Sequence, residues 1–443
     1  SFQEAKDMTR EAFGLSQKLG LPVLLHSVTR LSHARGNVTL GPLPTLSPTP
    51  SFDRSRPFVN VPAPANAHRR LKKKIKRCRA LFETSPHNWY EGPSRPEVIM
   101  VTTGAGLFYC LEGRDVLDLN ERVGVLKIGT TFPLPSDFLL NYLKRGQQVV
   151  LVEDGSPFLE SSVKELYAEH AAELPLLTFF GKMDHSLPQV GELNPDLVME
   201  LLARLLDRPY QARPERYEQA VRKAAGDLVL DRDLAFCAGC PHRATYWAIK
   251  EALALDGRDG FVCGDIGCYG MGSGPAGWSQ MDTMQAMGSG AGVAAGMGQL
   301  SRMGLDQPVV AVCGDSTFYH AALPALINAR QHGSNFLFLV LDNDATAMTG
   351  FQPHPGLGIT ATGRTSPPVS IAALCRSMGY EVETCDPYDL NSTTRAIMRE
   401  LEQEGPKVLI FKRTCALVAA KQGISMGRVT VDADLCIGEN CGC

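Results

Sequence analysis

Short apolar runs alternate with longer amphipathic stretches along most of the chain. Each run is rich in Val, Ile, Leu or Phe, and most are followed by apolar residues at helical spacing. The runs predict buried strands at residues 98–101, 123–128, 149–152, 261–263, 309–312, 336–341 and 408–411. Because parallel strands are joined by helical crossovers, the alternation predicts an α/β protein with open parallel sheets flanked by helices.

The first part of the chain is less regular. Residues 3–19 have the spacing of a helix, and the apolar triplet 23–25 predicts a buried strand. Because the chain starts at Ser1 inside a predicted helix, we expect this region to be the end of a domain whose beginning is absent. Pro and Ser are frequent over 41–66, which predicts a linker. A basic helix follows over 68–79 and is either a solvated face or a docking surface for an acidic redox partner.

Length and charge narrow the class of protein. A chain of 443 residues is too long for one core, and roughly two to four domains are expected. The net charge of −3 argues against a nucleic-acid-binding or membrane-binding surface. No apolar run approaches the roughly 18 residues that a membrane-spanning helix needs. We therefore expect a globular protein that has no nucleic-acid or membrane partner.

The cysteines are of two kinds. Cys263, Cys313 and Cys375 lie within apolar runs, where a buried, reduced thiol is expected. Others are closely spaced beside glycine and proline. This mixture is typical of an intracellular metal or cluster protein and not of a secreted disulfide scaffold, so we expect a cytoplasmic location.

Two polar motifs follow neighbouring predicted strands. Gly314-Asp315-Ser316 comes after strand 309–312, and Asn343 comes after strand 336–341. In an open parallel sheet, ligands bind at the carboxyl ends of the strands. Oxygen-bearing side chains that meet there can hold Mg²⁺, which readily takes phosphate oxygens as further ligands. Gly314 lets the backbone approach a pyrophosphate closely.

A second constellation consists of cysteines. Cys237 and Cys240 form a Cys-x-x-Cys pair, which by itself could be a zinc half-site, a redox pair or a cluster half-site. Cys268 and Cys415 each follow a predicted strand of the same sheet, so their strand ends can converge on the pair. Four thiolates suit a [4Fe–4S] cluster or Zn²⁺.

The carboxyl end of the sequence holds a third group of cysteines, Cys436, Cys441 and Cys443. A ferredoxin-like domain usually begins with Cys-x-x-Cys-x-x-Cys, and the spacing here departs from that pattern. A second cluster in this segment and a segment that binds no cluster are both open.

The stretches Gly314-Asp315-Ser316-Thr317-Phe318 and 341–356 resemble the thiamine diphosphate site of the large (alpha) subunit of indolepyruvate:ferredoxin oxidoreductases. Ser316 departs from the usual thiamine motif, which has glycine there, but is similar to this family's version. The resemblance implies that Asp315 and the Asn343 side chain ligate Mg²⁺, with the backbone carbonyl of Ala345 as a third ligand. The other cofactor contacts that it implies are Gly314, Ser316, Thr346, Asp265 and Gly267.

The cysteines resemble those of the wider superfamily of 2-oxoacid:ferredoxin oxidoreductases. The match implies that a proximal [4Fe–4S] cluster is held by Cys237, Cys240, Cys268 and Cys415. It also implies five segments: the end of a pyrimidine-binding domain at 1–40, linker and basic helix at 41–95, a transketolase-C-like domain at 96–225, the pyrophosphate-binding domain at 230–420, and a ferredoxin-like start at 428–443.

The family's reaction follows from the resemblance. An aryl 2-oxoacid and coenzyme A give an acyl-coenzyme A and CO₂, and the electrons pass through the clusters to ferredoxin. The catalytic glutamate is expected in the missing N-terminal portion, and a smaller second subunit is expected as a partner in a hetero-oligomer. Two other functions are possible for this sequence. One is a non-oxidative thiamine-dependent decarboxylase or carboligase with structural cysteines, and the other is a non-catalytic electron-transfer or zinc-binding subunit.

Overall fold

A computed structural model describes residues 1–42, 49, 63–226, 228, 234–424 and 430–437. The chain divides into two compact units, Ser1–Asp227 and Leu228–Cys443. Each is an α/β unit with its own sheet, so the predicted fold class is confirmed. No helix in the described ranges combines the length and the apolar character needed to cross a bilayer.

The first unit contains a five-stranded sheet in the order β1-β3-β2-β4-β5, in which β1 is antiparallel to β3 and the other pairs are parallel. Two apolar cores fill its two faces. Its elements are α1 (Phe2–Leu19), α2 (Thr29–Ser32), α3 (Pro64–Phe82), β1 (Asn88–Glu91), β2 (Val98–Thr102), α4 (Gly106–Val116), β3 (Val123–Ile128), α5 (Ser136–Leu143), β4 (Gln148–Val152), α6 (Phe158–Glu169), β5 (Thr178–Phe180), α7 (Pro195–Leu205) and α8 (Glu215–Ala225).

The second unit contains a fully parallel six-stranded sheet in the order β10-β11-β9-β8-β6-β7. Its four inner strands are buried on both faces, as is typical of parallel sheets, whereas the two edge strands are partly exposed. Its elements are α9 (Pro241–Asp256), β6 (Phe261–Gly264), β7 (Thr283–Met284), α10 (Ser289–Met297), β8 (Val309–Gly314), α11 (Asp315–Thr317), α12 (Leu323–His332), β9 (Phe336–Asp342), α13 (Ile371–Ser377), β10 (Val382–Cys385), α14 (Leu390–Leu401), β11 (Pro406–Lys412) and α15 (Ala416–Lys421).

The long apolar runs predicted the strands well. All seven predicted strands are confirmed, as β2, β3, β4, β6, β8, β9 and β11. The helix predicted over 3–19 is confirmed as α1, and the basic helix is confirmed as part of α3. The sequence did not predict the short edge strands β1, β5, β7 and β10, because four or fewer residues of mixed polarity have no clear period.

The strand predicted over 23–25 is wrong. These residues form a loop, and the Leu24 side chain is 96% exposed. No strand of the described sheets lies beside the triplet, so its backbone has no ladder partner and its side chains pack into no core. Most of the predicted linker lies outside the described residues, as does the end of the predicted ferredoxin-like segment.

Candidate active site

The register of the second sheet brings three strand ends together. Gly314 of β8 pairs with Leu341 of β9, and Asp342 of β9 pairs with Lys412 of β11. The segments that leave these strands therefore emerge side by side at the carboxyl edge of the sheet. They carry Asp315, Asn343 and Cys415, three of the residues that the sequence singled out.

Asp315 is a buried carboxylate surrounded by donors. Its Oδ1 accepts a hydrogen bond from the Ser316 N–H (2.7 Å), and its Oδ2 accepts from the N–H groups of Asn343 (3.1 Å) and Ala345 (3.3 Å). The Nε2 of His354 lies 3.2 Å from Oδ2. Burial raises the pKa of Asp315, but the neighbouring His354 and the backbone N–H groups outweigh burial and hold the pKa below its usual value. The group is therefore an anion at neutral pH.

Asn343 connects several parts of the site. Its Nδ2 lies 3.1 Å from the Nε2 of His242, and its Oδ1 accepts a hydrogen bond from the Ala345 N–H at 3.2 Å. Its backbone carbonyl accepts from the Cys415 N–H at 2.8 Å. Burial lowers the pKa of His242 to about 4, against the opposing effect of the Asp315 charge. His242 is therefore neutral at pH 7, and a neutral imidazole nitrogen can accept the amide proton.

Asp265 lies at the end of β6, where the resemblance places a cofactor contact. Its Oδ2 accepts a hydrogen bond from the Gly288 N–H at 2.9 Å, and its Oδ1 accepts from the Tyr269 hydroxyl. Burial raises the pKa of Asp265 to about 6, although both hydrogen bonds favour the anion. Asp265 thus holds the start of α10 against the end of β6, and Gly267 lies under the Tyr269 ring.

The donors fit a hard cation that is bridged to a pyrophosphate. Among the described residues, no three His, Cys, Asp or Glu side chains lie close enough to hold a metal ion by themselves. Asp315 and the amide oxygen of Asn343 are oxygen donors, so phosphate oxygens would have to complete the coordination of Mg²⁺. The Thr346 hydroxyl and the His354 Nε2 are buried without an aligned hydrogen-bond partner. Both are side chains of the loop after Asn343, and both can donate to phosphate oxygens.

We expect the Gly314→Ala change to destabilise the protein. A Cβ atom at Gly314 would lie 2.7 Å from Cε1 of Tyr269, whose ring is buried, so the ring would have to move. Overpacking of this kind lowers the free energy of unfolding by about 1–3 kcal/mol. Gly292→Ala is the matched control, because a Cβ there meets nothing within 4 Å. Denaturant unfolding of the two variants checks the prediction, and equal stabilities would contradict it.

The four predicted ligands of the proximal cluster, Cys237, Cys240, Cys268 and Cys415, lie in one region. Burial raises the pKa of Cys240 to about 11, while backbone N–H groups oppose the rise and the charges of Cys237 and Cys268 add to it. Burial also raises the pKa of Cys268, and Cys415 and Cys237 add to that rise. Charge interactions thus link Cys237 and Cys240 with Cys268, and Cys268 with Cys415, but the four cysteines do not form a closed metal-binding group among the described residues. The thiols of Cys240 and Cys268 therefore hold their protons at neutral pH, and a bound metal or cluster would have to displace those protons.

The Cys-x-x-Cys loop is held in place by its own backbone and by a tyrosine. The Cys240 N–H donates to the Cys237 carbonyl at 3.0 Å, and Gly239 has a φ of +67°, which favours glycine. The Tyr388 hydroxyl donates to the Gly239 carbonyl. The loop therefore presents its two thiols from a defined position at the start of α9.

The predicted second cluster is not described in full. Cys436 is exposed within 430–437, and Cys441 and Cys443 lie outside the described residues. The ligands of a carboxyl-terminal cluster therefore stay a prediction.

Sequence reasoning missed the side chains that support the site, namely His242, His354, Tyr269 and Tyr388. His242 lies two residues beyond the Cys-x-x-Cys pair, and His354, between two prolines, lies within the stretch 341–356 that carries the family resemblance. Periodicity does not indicate a buried polar side chain in a loop or first helical turn, and only the contacts reveal these four residues.

A family comparison supports the cofactor class. Residues 265–411 match the family described as the thiamine pyrophosphate enzyme, C-terminal TPP binding domain. The matched range contains Asp265, Asp315 and Asn343 and covers the sheet from the end of β6 to β11. The fold and the strand-end site define a thiamine-diphosphate-binding domain.

Curated relatives extend the match along almost the whole chain. The indolepyruvate oxidoreductase subunit IorA of Methanothermobacter thermautotrophicus is 35% identical over 443 residues, which cover 98% of this chain and 68% of the relative. The IorA subunits of Pyrococcus horikoshii (36% over 439 residues, 94% and 65%) and Archaeoglobus fulgidus (33% over 452 residues, 99% and 69%) are similar. The chain belongs to the family of indolepyruvate oxidoreductase IorA subunits, and it spans about two thirds of their length. It is therefore part of a thiamine-diphosphate-dependent oxidoreductase of 2-oxoacids.

Solved structures add only a weak likeness. A 2-oxoglutarate:ferredoxin oxidoreductase from Magnetococcus marinus is 20% identical with a TM-score of 0.36, covering 42% of this chain and 67% of that chain. A thiamin diphosphate-dependent enzyme from Mycobacterium smegmatis is 16% identical with a TM-score of 0.31, covering 76% and 64%. These scores are too low to support an inference about this chain.

Proposed function

We propose that this chain carries the cofactor-binding and electron-accepting part of an enzyme that oxidatively decarboxylates an aryl 2-oxoacid of the indolepyruvate type. Coenzyme A takes the acyl group, CO₂ is released, and two electrons leave one at a time through [4Fe–4S] clusters to ferredoxin. The observation that carries the proposal is the position of Asp315, Asn343 and the three segments that bear the four cysteines at one edge of one sheet. An electron donor and its first acceptor must lie close together, and this edge supplies residues for both.

The residues of this chain have distinct roles in the proposal. Asp315, the Asn343 side chain and the Ala345 carbonyl hold Mg²⁺, and Thr346 and His354 donate to the pyrophosphate. When bound, thiamine diphosphate supplies the electron sink that a 2-oxoacid needs in order to lose CO₂. Cys237, Cys240, Cys268 and Cys415 hold the proximal cluster, and Cys436, Cys441 and Cys443 contribute to a second one.

The proposal includes partners. The relatives are named as subunits, which supports a second, smaller subunit and a hetero-oligomer. The proposed acceptor is ferredoxin, and the reduced thiols of a cluster protein agree with a cytoplasmic location.

One anaerobic experiment tests the proposed function. The purified enzyme is assayed for iron, for thiamine diphosphate and for coenzyme-A-dependent reduction of ferredoxin with indolepyruvate, phenylpyruvate and phenylglyoxylate. We expect both cofactors and reduction with at least one of these oxoacids. Release of an aldehyde without reduction of an acceptor would identify a non-oxidative decarboxylase instead. Zinc in place of iron, with no bound thiamine, would identify a non-catalytic subunit.

The basic helix α3 provides a prediction about the electron acceptor. Its exposed lysines Lys72, Lys73 and Lys76 have no acidic partner among the described residues, whereas Lys74 donates to the Gly20 carbonyl at 2.8 Å. Attraction between opposite charges speeds association by about tenfold or more at low salt and weakens as salt rises. Replacing the three exposed lysines by Glu should slow ferredoxin reduction about tenfold at low salt, without slowing reduction of a small uncharged dye.

The control for this prediction makes the same change in net charge elsewhere in the unit. Arg208, Arg216 and Lys223 are exposed near or on α8, and their replacement by Glu should have a smaller effect on ferredoxin reduction. Stopped-flow rates over a range of salt concentrations measure both variants. Equal rates in the two triple variants would leave α3 as an ordinary solvated face.

A further inference from the structure

Asn343 is hydrogen-bonded to two of the segments that carry the predicted cluster cysteines. Its backbone carbonyl accepts a hydrogen bond from the N–H of Cys415 at 2.8 Å. Its side-chain Nδ2 lies 3.1 Å from the Nε2 of His242, which is two residues beyond Cys240. Both members of the side-chain pair are almost completely buried, with exposed fractions of 5% and 3%. Water therefore does not compete for this bond.

A third cysteine segment contacts the other half of the cation motif. Tyr269 follows Cys268, and its ring packs against the backbone of Gly314 so closely that a Cβ atom there would clash with it. The Tyr269 hydroxyl lies 3.0 Å from the Thr317 hydroxyl, just beyond the motif. The turn that carries the carboxylate ligand is therefore supported by the residue next to a predicted cluster cysteine.

His242 is held rigidly between these segments. It lies in the first turn of α9, directly after Pro241, and Cys240 is the residue that precedes the helix. Its ring meets the Tyr269 ring edge to face, with 6.1 Å between the ring centres. A displacement of Cys240 would therefore move the imidazole ring and with it the bond to Asn343.

The orientation of the Asn343 amide depends on this imidazole. With Nδ2 directed at the His242 nitrogen, the amide oxygen faces the other way, where it accepts one hydrogen bond from the Ala345 N–H and keeps a second lone pair. A flipped amide would present its NH₂ group to the cation, and an NH₂ group cannot ligate a metal. The imidazole nitrogen thus selects the orientation in which the oxygen can bind Mg²⁺.

We propose that His242 is a positioning residue that fixes the Asn343 side chain for the cation and transmits the occupancy of the cation–pyrophosphate site to the cysteine cluster. The inference rests on the proposed function, because it requires both a bound cation and a bound cluster. Residues that support a metal ligand typically change metal affinity by about 10- to 100-fold when they are replaced.

The test compares His242→Gln with His242→Met in the complete enzyme. The two side chains have similar length and both lack the ring, but glutamine offers a strong acceptor oxygen for the Asn343 amide proton, whereas the methionine sulfur is only a weak acceptor. Enzyme freed of thiamine diphosphate and Mg²⁺ is titrated with Mn²⁺ in the presence of thiamine diphosphate, and binding is followed by electron paramagnetic resonance. We expect the Met variant to bind Mn²⁺ about 10- to 100-fold more weakly than wild type, and the Gln variant to recover most of the affinity.

A second readout follows the cluster. Addition of Mg²⁺ and thiamine diphosphate should shift the resonance spectrum of the reduced proximal cluster in wild type and in the Gln variant, but not in the Met variant. His332→Phe, at an exposed position at the end of α12, controls for loss of a histidine and should behave as wild type.

The outcomes separate this inference from the proposed function. If wild type holds both cofactors and the Gln and Met variants bind Mn²⁺ equally well, the role of His242 is overturned while the proposed function stands. A spectrum that does not respond to thiamine diphosphate in wild type overturns the transmission to the cluster. A wild-type enzyme without iron or without thiamine binding overturns the proposed function itself.

Discussion

Replacing Asp315 by alanine should abolish thiamine diphosphate binding in the purified enzyme. The carboxylate is the one anionic ligand in the predicted metal site, and a pyrophosphate bridged by Mg²⁺ has no comparable anchor without it. The bound cofactor, measured after gel filtration in Mg²⁺, should fall below about one hundredth of the wild-type content, which is a loss of roughly 3 kcal/mol of binding free energy or more. The proximal cluster should be retained.

Two further variants make the test specific. Asp315 also accepts three backbone N–H groups, so the Ala variant leaves buried donors unsatisfied, at about 1–3 kcal/mol for each group. Asp315→Asn keeps the shape and one acceptor oxygen but removes the charge, and it should also lose the cofactor. Asp342→Asn, at the end of the neighbouring strand, removes a carboxylate that pairs with Lys412 and should retain the cofactor. Near-normal thiamine diphosphate content in Asp315→Asn would contradict the assignment of Asp315 as a ligand of Mg²⁺.

Replacing Cys415 by serine should remove the proximal cluster or convert it to a three-iron form, and ferredoxin-linked activity should be lost. A hydroxyl is a poor substitute for a thiolate at iron, whereas a merely buried thiol tolerates this nearly isosteric change at modest cost. Thiamine diphosphate binding should largely survive, because serine keeps the backbone N–H that donates to the Asn343 carbonyl. Complete loss of the cluster should lower the iron content by about four atoms per chain.

The control is another buried cysteine of the same unit. Cys385 ends β10 and is 7% exposed, compared with 8% for Cys415, so burial alone predicts similar costs for the two serine variants. Iron content and the resonance spectrum of the reduced enzyme should change in Cys415→Ser and stay as in wild type in Cys385→Ser. If Cys415→Ser keeps its full iron content and an unchanged spectrum, the fourth ligand lies elsewhere.

The sequence by itself determined the fold class, the main strands and the chemical motifs. The stretches 309–312 and 336–341 are uninterrupted runs of apolar residues, a composition typical of parallel strands. The structure buries both of them on both faces, as that composition predicts. The motif residues Asp315, Asn343 and Cys415 follow such runs directly, and the rule that strand ends meet at one edge placed them together before any contact was known. The resemblance to the indolepyruvate oxidoreductase family was carried by the same residues.

The tertiary structure decided which side chains support those motifs. His242 and Asn343 are 101 residues apart in the chain, and no periodic pattern relates positions so distant. Likewise, the triplet 23–25 has the composition of a buried strand but lies exposed, since a strand exists only where a neighbour completes its hydrogen bonds. Local composition determines whether a segment can form a strand or a helix, whereas the order and register of the sheet determine which residues it contacts. The residues that hold Asp315 and Asn343 in place could therefore be found only in three dimensions.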